Sequence, residues 1–383
     1  MRFHRFFVQP IFLMSNHSQL QCSQAILDQF QISGNLVAVE PYGGGHINDT
    51  YRSQFQEGTQ RRFYIHQRIN HKVFTEPEKL MENIRRVTEH LRAKLSATGG
   101  DPSRETLTLV PAIDGRCFVQ DGENFWRTYL FIEDATTYDL VEKPEHIYHA
   151  GYAFGRFQKL LADMPGPPLH ETIPNFHHTP ARFAQFETAL AADVAGRADG
   201  CREEIEFALA RKEMTGTIVD ALADGRLPSR ITHNDTKFNN VMIDDATGRG
   251  ICVIDLDTVM PGSVLYDFGD SVRVGTATAV EDERDLSKVS VSLELFEHLA
   301  RGYLDAARDF LTPAEVELLA FSGRLITFEI GLRFLTDHLA GDTYFKVHRE
   351  NHNLDRCRTQ FKMVAQMENQ AAELEQIVLR ARG

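Results

Sequence analysis

The stretch Ile231-Thr-His-Asn-Asp-Thr-Lys-Phe-Asn-Asn-Val-Met-Ile243 decides the fold, together with the run Gly250-Ile-Cys-Val-Ile-Asp-Leu-Asp257 that follows after a short polar turn. Apolar residues on both sides of that turn predict a β-hairpin. A hairpin returns its second arm beside its first, so we expect Asp235, Asn240 and Asp255 to converge. One carboxylate can accept a proton, and an amide oxygen with a second carboxylate can hold Mg²⁺, which prefers hard oxygen ligands. This is the minimum set for phosphoryl transfer.

The spacing of these polar residues is specific. His233, Asp235 and Asn240 follow the order H-x-D-x-x-x-x-N, which resembles the catalytic loop of kinase-like phosphotransferases. Asp255 follows Asn240 at close to the separation that protein kinases use. A polar loop between two buried strands is the structural alternative. Asp257 completes an Asp-Leu-Asp motif, so the resemblance is closer to the aminoglycoside phosphotransferase and choline kinase superfamily than to protein kinases.

A literal Asp267-Phe-Gly269 further along the chain imitates the metal motif of protein kinases. It follows Pro261-Gly262 instead of ending an apolar strand, and it lies too far from Asn240. We therefore interpret it as a false match. Asp267 is expected to act structurally, as a helix cap or as an acceptor that anchors a loop.

The composition indicates a globular protein with two lobes. A chain of 383 residues can bury two sizeable cores, and 25% charged with 42% hydrophobic residues is ordinary. The formal net charge of −13 argues against nucleic acid as a partner. The five cysteines are scattered without a C-x-x-C pair, which favours a reducing compartment and no zinc site.

The first residues imitate a signal peptide, with an apolar stretch from Phe6 to Met14 after two arginines. Gln9-Pro10 interrupts that stretch, and no small-residue cleavage site follows. We therefore expect a cytoplasmic protein; export, or a true start of translation at Met14, are the alternatives. No other apolar run is long enough to span a bilayer, so no membrane partner is expected. A monomer is favoured as the oligomeric state.

The region before the catalytic loop predicts a nucleotide-binding sheet, with strands near 36–42, 46–52 and 62–68. The turn between the first two consists of Gly43, Gly44 and Gly45. Glycines let backbone N–H groups approach phosphates without obstruction, so we predict that this turn covers ATP; a plain hairpin turn is the alternative. Arg68 ends the third strand. By resemblance to superfamily members that place arginine where protein kinases place lysine, Arg68 would hold the α- and β-phosphates, and an exposed strand-end arginine is the alternative.

A helix follows, with an apolar stripe over 80–95 and a predicted capping box at Thr75-Glu-Pro-Glu78. In protein kinases the matching helix gives a glutamate to the phosphate-binding cation. Here Glu82 would lie opposite the stripe and Asn83 near its edge. The partner of Arg68 on this helix is therefore one of these two residues, or is absent.

The last strand of the sheet ends in a polar connection. A strand end that enters a linker leaves backbone groups unpaired, so we expect the backbone of Phe131, Ile132 and Glu133 to face adenine. After this connection the apolar periodicity becomes helical. A second capping box, Thr312-Pro-Ala-Glu315, predicts a long helix in which Arg333 and Asp337 are by default a surface pair at i,i+4.

These patterns predict an α+β fold with two kinase-like lobes. We expect an N-terminal extension and helix over 1–35, a lobe built on an antiparallel β-sheet over 36–134, and a mainly helical lobe over 135–383. The second lobe would carry the catalytic loop, the metal-binding hairpin and the acceptor site.

Longer segments narrow the resemblance, and the segments that carry it are 43–51, 233–237, 253–262, 333–337 and 341–345. Together they look like the N-acetylhexosamine 1-kinases, a sugar-kinase branch of the superfamily, with similarity over 36–361. The resemblance implies transfer of the γ-phosphoryl group of ATP to the anomeric hydroxyl of N-acetylglucosamine or N-acetylgalactosamine. It also implies four residues that contact the sugar, with turn chemistry and lobe packing as their alternative roles: His46, Asp49, Arg333 and Tyr344.

The chemistry of phosphoryl transfer suggests a role for each polar residue of the loop and the hairpin. Asp235 orients the acceptor hydroxyl and takes its proton late, because the transition state is loose. Lys237 is placed to neutralise γ-phosphate charge. Asn240 and Asp255 hold Mg²⁺, and Asp257, on the same strand face by period two, binds a second ion or orients the first.

Two other functions remain open. A kinase for a cationic acceptor, such as choline or an aminoglycoside, would require an acidic or aromatic pocket near Asp235. A pocket that contains His46 and Arg333 disfavours such cations. A non-catalytic nucleotide-binding regulator is the second alternative, and the intact set of Asp235, Lys237 and Asn240 argues against it.

Overall fold

The structure is a computed structural model that describes residues 22–43, 47–138 and 143–383. Its N-terminal part is a five-stranded antiparallel sheet in the order β1-β2-β3-β5-β4. The strands are β1 (Asn35–Pro41), β2 (Asp49–Glu57), β3 (Gln60–Ile69), β4 (Val119–Asp121) and β5 (Asn124–Leu130). Two helices pack on this sheet: α1 (Gln24–Leu27) and α2 (Pro77–Ala97).

The two faces of the sheet have different neighbours. Phe55, Tyr64 and Trp126 form a buried cluster with α1, whereas Ile69 and Tyr129 belong to the main core, which also contains α2. Because side chains alternate between the faces along a strand, each residue of β3 and β5 is assigned to one neighbour or the other. This alternation decides which arginine side chains of the sheet point toward the cleft between the sheet and the helical part.

The start of α2 differs from the prediction. The N-cap residue is Glu76, no side chain caps the helix, and Pro77 is in the first turn. The capping box expected at Thr75 is therefore wrong. Proline at the first helical position is compatible with a helix start because its missing N–H would have no intrahelical partner there.

The C-terminal part is mainly helical. Its helices are α3 (Pro144–Leu161), α4 (Thr179–Ala192), α5 (Arg202–Leu209), α6 (Thr217–Ala223), α7 (Val264–Gly275), α8 (Leu293–Ala307), α9 (Pro313–Leu339), α10 (His352–Asn369) and α11 (Ala371–Arg382). The capping box at the start of α9 is confirmed, since Thr312 and Glu315 each bond to the backbone of the other. The predicted α+β class, with a sheet first and helices after it, is confirmed.

Short strands form the floor of the cleft: β6 (Ala135–Thr136), β7 (Arg230–Thr232), β8 (Val241–Asp244), β9 (Gly250–Val253) and β10 (Met260–Gly262). β8 and β9 form the predicted hairpin, with Val241 opposite Val253. β6 pairs with β8, and β7 pairs with β10. The catalytic loop leaves β7 and enters β8, so both of its ends are held in sheets.

Close helix packing supports this floor from behind. A side chain at Gly302 of α8 would meet the carbonyl oxygen of Tyr148 in α3 at 2.0 Å, and one at Gly151 would meet that of Leu299 at 2.6 Å. These glycines let α3 and α8 approach backbone to backbone. Among the described residues, none of the helices has the length and apolar character needed to cross a membrane.

Candidate active site

The catalytic loop is anchored by a buried carboxylate of α7. Asp267 is 1% exposed and accepts the backbone N–H groups of His233 at 2.9 Å and Asn234 at 2.6 Å. Gln158 of α3 donates a third hydrogen bond to it at 2.6 Å. Burial raises the pKa of Asp267, while His233 and the hydrogen bonds oppose that rise. The expectation that Asp267 anchors a loop is confirmed.

Asn234 forms a left-handed turn in the backbone directly before Asp235. Its φ of 67° lies in the left-handed region, which asparagine tolerates better than most residues. Its side-chain amide donates to the carbonyl oxygens of Thr232 and Thr258 at 3.2 and 2.9 Å, and its Oδ1 accepts from the Thr232 hydroxyl at 3.0 Å. The strained turn is therefore held by bonds on every side of the residue.

Asp235 and Asn240 come together as predicted, with Lys237 beside them. Lys237 Nζ lies 2.9 Å from the Asp235 carboxylate, and the amide of Asn240 donates to the Asp235 carbonyl at 2.8 Å. Burial would lower the pKa of Lys237, but the charge and hydrogen bond of Asp235 raise it. Because the amide nitrogen of Asn240 is used within the loop, its Oδ1 is the atom suited to a cation.

Asp255 comes directly after the hairpin. Its neighbour Ile254 is bound twice, since its N–H donates to the Asn240 carbonyl at 2.9 Å and its carbonyl accepts from His233 Nε2 at 2.8 Å. Asp255 itself has φ 59°, a costly conformation for a residue with a Cβ. The residue is exposed at the surface. Loss of solvation beside the surrounding protein, followed by the charges of Asp257 and Asp235, raises its pKa to about 6.

Asp257 differs from the expectation. It lies in a short 3₁₀ turn, Leu256–Thr258, and not on the strand, so the argument from period two does not apply to it. Arg127 of β5 donates to its Oδ1, and Asn48 donates to its Oδ2 at 2.6 Å. Both carboxylate oxygens thus have partners, which favours the orienting role over direct metal binding.

Arg68 and Asp49 lie on the face of the sheet that packs toward α1. They are directly opposite each other on β3 and β2, and Arg68 Nε donates to Asp49 Oδ2 at 2.7 Å. Trp126 of β5 is the residue paired with Arg68 of β3, and it belongs to the buried cluster around α1. The structure therefore does not bring Arg68 to the catalytic hairpin. A shift of one residue along a strand changes the face, and it is Gln67 that shares the cleft face with Arg127.

Neither residue of α2 proposed as a partner of Arg68 contacts it. Asn83 is buried, and its amide donates to the carbonyls of His170 at 2.8 Å and Val259 at 3.1 Å. Glu82 pairs with His170 at 2.8 Å. An Arg68–Asn83 or Arg68–Glu82 contact is therefore wrong, because both α2 side chains are used to join the helix to the C-terminal part.

The cation beside the hairpin is Arg127. Its side chain is 1% exposed, and it donates to Gln67 Oε1 through Nε at 2.9 Å and Nη2 at 2.8 Å. Burial opposes its charge, but Asp257 outweighs burial and raises the pKa of Arg127. The sequence contains a signal for Arg127: it is the charged residue in the mostly apolar strand Phe125-Trp-Arg-Thr-Tyr-Leu-Phe131. Buried charges are almost always paired, so such a residue indicates a charged partner nearby.

The connection between the two parts of the chain is held by Arg104. Its Nη2 donates to the carbonyls of Glu133 at 3.0 Å and Asp134 at 2.9 Å, and its Nη1 donates to Asp244 of β8 at 2.8 Å. Phe131 N–H donates to the Phe63 carbonyl at 3.0 Å, and Ile132 is buried in the main core. The expectation that the backbone groups at this strand end are unpaired is therefore wrong for the Phe131 N–H and for the Glu133 carbonyl. The adenine contact itself remains a prediction.

The predicted glycine turn is described only in part. Gly43 has φ 74°, a left-handed conformation that favours glycine. Gly44, Gly45 and His46 lie outside the described residues. Asn48, which follows them, contacts Asp257 and so brings the end of this turn to the catalytic hairpin.

Arg333 and Tyr344 come together at the end of α9. The Arg333 guanidinium carbon lies 5.8 Å from the centre of the Tyr344 ring and 5.6 Å from that of Phe345. We expected Asp337 to pair with Arg333 at the surface, and this expectation is wrong. Asp337 is buried and accepts the backbone N–H groups of Thr343, Tyr344 and Phe345 at 2.8–2.9 Å, so it shapes the turn that presents Tyr344.

A second arginine borders the same region. Arg182 of α4 donates to the Phe176 carbonyl at 3.0 Å, while burial and the charge of Arg333 lower its pKa. His177, which follows Phe176 in the chain, donates to the Asn234 carbonyl at 3.0 Å. The cationic cluster of Arg182 and Arg333 is therefore joined to the residue that precedes Asp235, a connection between distant segments that sequence spacing does not reveal.

The chain has an antiparallel sheet followed by a helical part, with the catalytic loop and the β8–β9 hairpin between them. This arrangement defines a kinase-like phosphotransferase. The sequence profile of the phosphotransferase enzyme family, APH, matches residues 38–315. The chain belongs to this family. The prediction of a phosphotransferase is confirmed, and so is the predicted superfamily.

Solved structures with the same fold share little sequence with this chain. An aminoglycoside phosphotransferase from Alicyclobacillus acidocaldarius is 13% identical with a TM-score of 0.57, over 95% of this chain and 98% of the other. A microcompartment-associated aminopropanol kinase is 16% identical with a TM-score of 0.55, over 92% and 97%. A choline kinase from Cryptosporidium parvum is 13% identical with a TM-score of 0.54, over 89% and 91%. These likenesses support the fold.

We predict that Asp267→Asn destabilises the protein without changing its Mg²⁺ requirement. Three N–H groups converge on this carboxylate, so an amide at the same place would turn its NH₂ toward a donor. The loss should be on the order of 1–3 kcal/mol of unfolding free energy, measured by denaturant titration. Asp309→Asn, at an exposed aspartate, is the control. A raised Mg²⁺ requirement at unchanged stability would instead place Asp267 in the metal site.

Proposed function

We propose that this protein phosphorylates a small neutral sugar, with ATP as donor and the anomeric hydroxyl of an N-acetylhexosamine as acceptor. One observation carries the choice of acceptor: Arg182 and Arg333 lie close enough that the charge of Arg333 lowers the pKa of Arg182. The nearby carboxylate of Glu329 is paired with His177 at 2.8 Å, and His177 contacts the Asn234 carbonyl beside Asp235, so we place the acceptor next to these guanidinium groups. An ammonium-bearing acceptor would meet two guanidinium groups and a neutralised carboxylate.

The loop supplies the proton chemistry. Asp235 is half-buried, and its carboxylate is directed into the cleft by the turn at Asn234. In that position it accepts a hydrogen bond from the acceptor hydroxyl, orients it in line with the γ-phosphorus, and takes its proton late. Lys237, now 2.9 Å from Asp235, has the length to turn toward the γ-phosphate and neutralise its charge.

The donor set beside the loop fits Mg²⁺. Asn240 Oδ1 and the Asp255 carboxylate are hard oxygen ligands. Burial, followed by the charges of Asp257 and Asp235, raises the pKa of Asp255, and a cation would offset those two charges. Bound Mg²⁺ would neutralise phosphate oxygens. Asp257, fixed by Arg127 and Asn48, would orient this site from the second carboxylate position. Among the described residues there is no cluster of three or more histidine, cysteine or acidic side chains around one point.

The experiment that tests the acceptor is a panel assay. ATP consumption is measured with free sugars, amino alcohols and aminoglycosides, and phosphorus NMR locates the new phosphate. We expect turnover with N-acetylglucosamine or N-acetylgalactosamine and a signal from a sugar 1-phosphate. The 1-deoxy sugar should inhibit. Turnover with choline or amino alcohols, and none with sugars, would contradict the proposal.

Asp235→Asn and Asp255→Asn should fail in different ways. Asp235→Asn removes the proton acceptor but leaves the metal ligands, so kcat should fall by about a hundredfold or more with Mg-ATP binding nearly unchanged. Asp255→Asn should weaken Mg-ATP binding as well, measured by calorimetry at several Mg²⁺ concentrations. Activity of Asp235→Asn within about tenfold of wild type, under about 1.4 kcal/mol, would remove Asp235 from the mechanism.

Arg333→Ala should raise KM for the sugar far more than KM for ATP, because it removes a charge-assisted hydrogen bond on the acceptor side. The loss in kcat/KM should be roughly ten- to hundredfold. Arg324→Ala is the matched control, since Arg324 lies on the same helix and also stacks on an aromatic ring, that of Phe321 at 5.0 Å. Equal sugar KM values for the two variants would place the acceptor elsewhere.

A further inference from the structure

Two buried residues far from the catalytic motif meet its backbone. His177 is 4% exposed and Glu329 is fully buried. His177 Nδ1 lies 2.8 Å from Glu329 Oε1, and His177 Nε2 lies 3.0 Å from the Asn234 carbonyl oxygen. The Thr179 hydroxyl donates to the other oxygen of Glu329 at 2.6 Å. The contacts form one continuous line from α9 to the catalytic loop.

The partners of His177 determine its charge. A carbonyl oxygen only accepts, so Nε2 must carry a proton, and a carboxylate at Nδ1 accepts as well. Burial would lower the pKa of His177, but the hydrogen bond and charge of Glu329 raise it, with smaller contributions from the Asn234 carbonyl and Asp270. The Tyr266 ring packs against the imidazole at 5.2 Å between ring centres. The same pairing lowers the pKa of Glu329 against burial, and Arg333 adds to that effect.

The peptide that His177 contacts is the one that leads into Asp235. Its carbonyl oxygen accepts from His177, and its N–H, on Asp235, donates to His233 Nδ1 at 3.3 Å. A peptide is planar, so two histidines hold opposite edges of one rigid unit. His233 also donates from Nε2 to the Ile254 carbonyl, so its ring joins this peptide to the hairpin, while His177 joins the same peptide to Glu329.

We propose that Glu329 and His177 form a positioning pair, in which the imidazolium, held by Glu329, fixes the Asn234–Asp235 peptide and thereby the direction of the Asp235 carboxylate. Glu329 lies one helical turn before Arg333 on α9. The same helix thus carries Glu329, which supports Asp235 through His177, and Arg333, which is proposed to contact the sugar. This inference rests on the proposed role of Asp235, but not on which hydroxyl compound is the acceptor.

The pH dependence has a defined sign. The pKa of His177 is higher in the folded protein than in the unfolded chain, so the support from the ion pair is complete below the ordinary histidine value, about 6.5. It is lost as the pH rises through the higher folded-state pKa. An alkaline fall in kcat that is absent from the Glu329→Gln variant would therefore report this pair.

The test compares two glutamates of α9. Glu329→Gln removes the charge that holds His177. Glu315→Gln is the matched control, because Glu315 is equally buried and paired, with Arg230 at 2.7 Å, but caps the helix and does not contact the loop. With the acceptor that gives turnover, Glu329→Gln should lower kcat by about tenfold or more relative to the control, with KM for ATP within about twofold. Glu329→Asp should recover part of the loss.

A second readout is independent of the acceptor. In ¹⁵N-histidine NMR of the full chain, the His177 imidazole, assigned by its loss in His177→Asn, should be doubly protonated at pH 7 in the wild type and neutral in Glu329→Gln. This supports the pair even if no sugar is phosphorylated, in which case only the proposed acceptor fails. A neutral His177 in the wild type, or equal kcat losses in the two Glu→Gln variants at similar melting temperatures, would overturn the inference.

Discussion

The active site depends on one buried carboxylate that receives the backbone of the catalytic loop. Asp267 accepts two successive N–H groups of that loop, at His233 and Asn234, and is itself held by Gln158. The Tyr303 hydroxyl of α8 donates to Gln158 at 2.6 Å, so helices α3, α7 and α8 share one polar network. Buried N–H groups must be satisfied, and a loop cannot supply its own ladder. Without this acceptor, the turn that presents Asp235 would lose its fixed shape.

Three further contacts complete the frame around Asp235. His177 holds the carbonyl of the preceding peptide, His233 holds both the N–H of Asp235 and the hairpin at Ile254, and Asn240 holds the Asp235 carbonyl. His233 and Asn240 belong to the loop itself, whereas His177 comes from a distant segment, so the loop is held both from within and by the helical part. Preorganisation of this kind lowers the cost of placing a hydroxyl in line with a phosphorus atom.

The charge pattern separates the two sides of the cleft. Beside the hairpin, Asp255 and Asp257 accumulate negative charge, and Arg127 pairs with Asp257; we propose that a divalent cation binds there. Beside α9, Arg182 and Arg333 lie near Glu329, whose negative charge is balanced by His177; we propose that the acceptor binds there.

The sequence by itself determined the catalytic loop, the hairpin that follows it and the false match at Asp267, because spacing and apolar periodicity are local properties of the chain. It also predicted the order of sheet and helices. Only the tertiary structure decided that Arg68 faces α1 while Arg127 reaches the hairpin, since the face of a strand residue depends on strand register. It likewise decided that Asp257 is engaged, that Asp337 is buried, and that Glu329 reaches Asn234 through His177. Each of these depends on partners from distant segments, which local patterns do not specify.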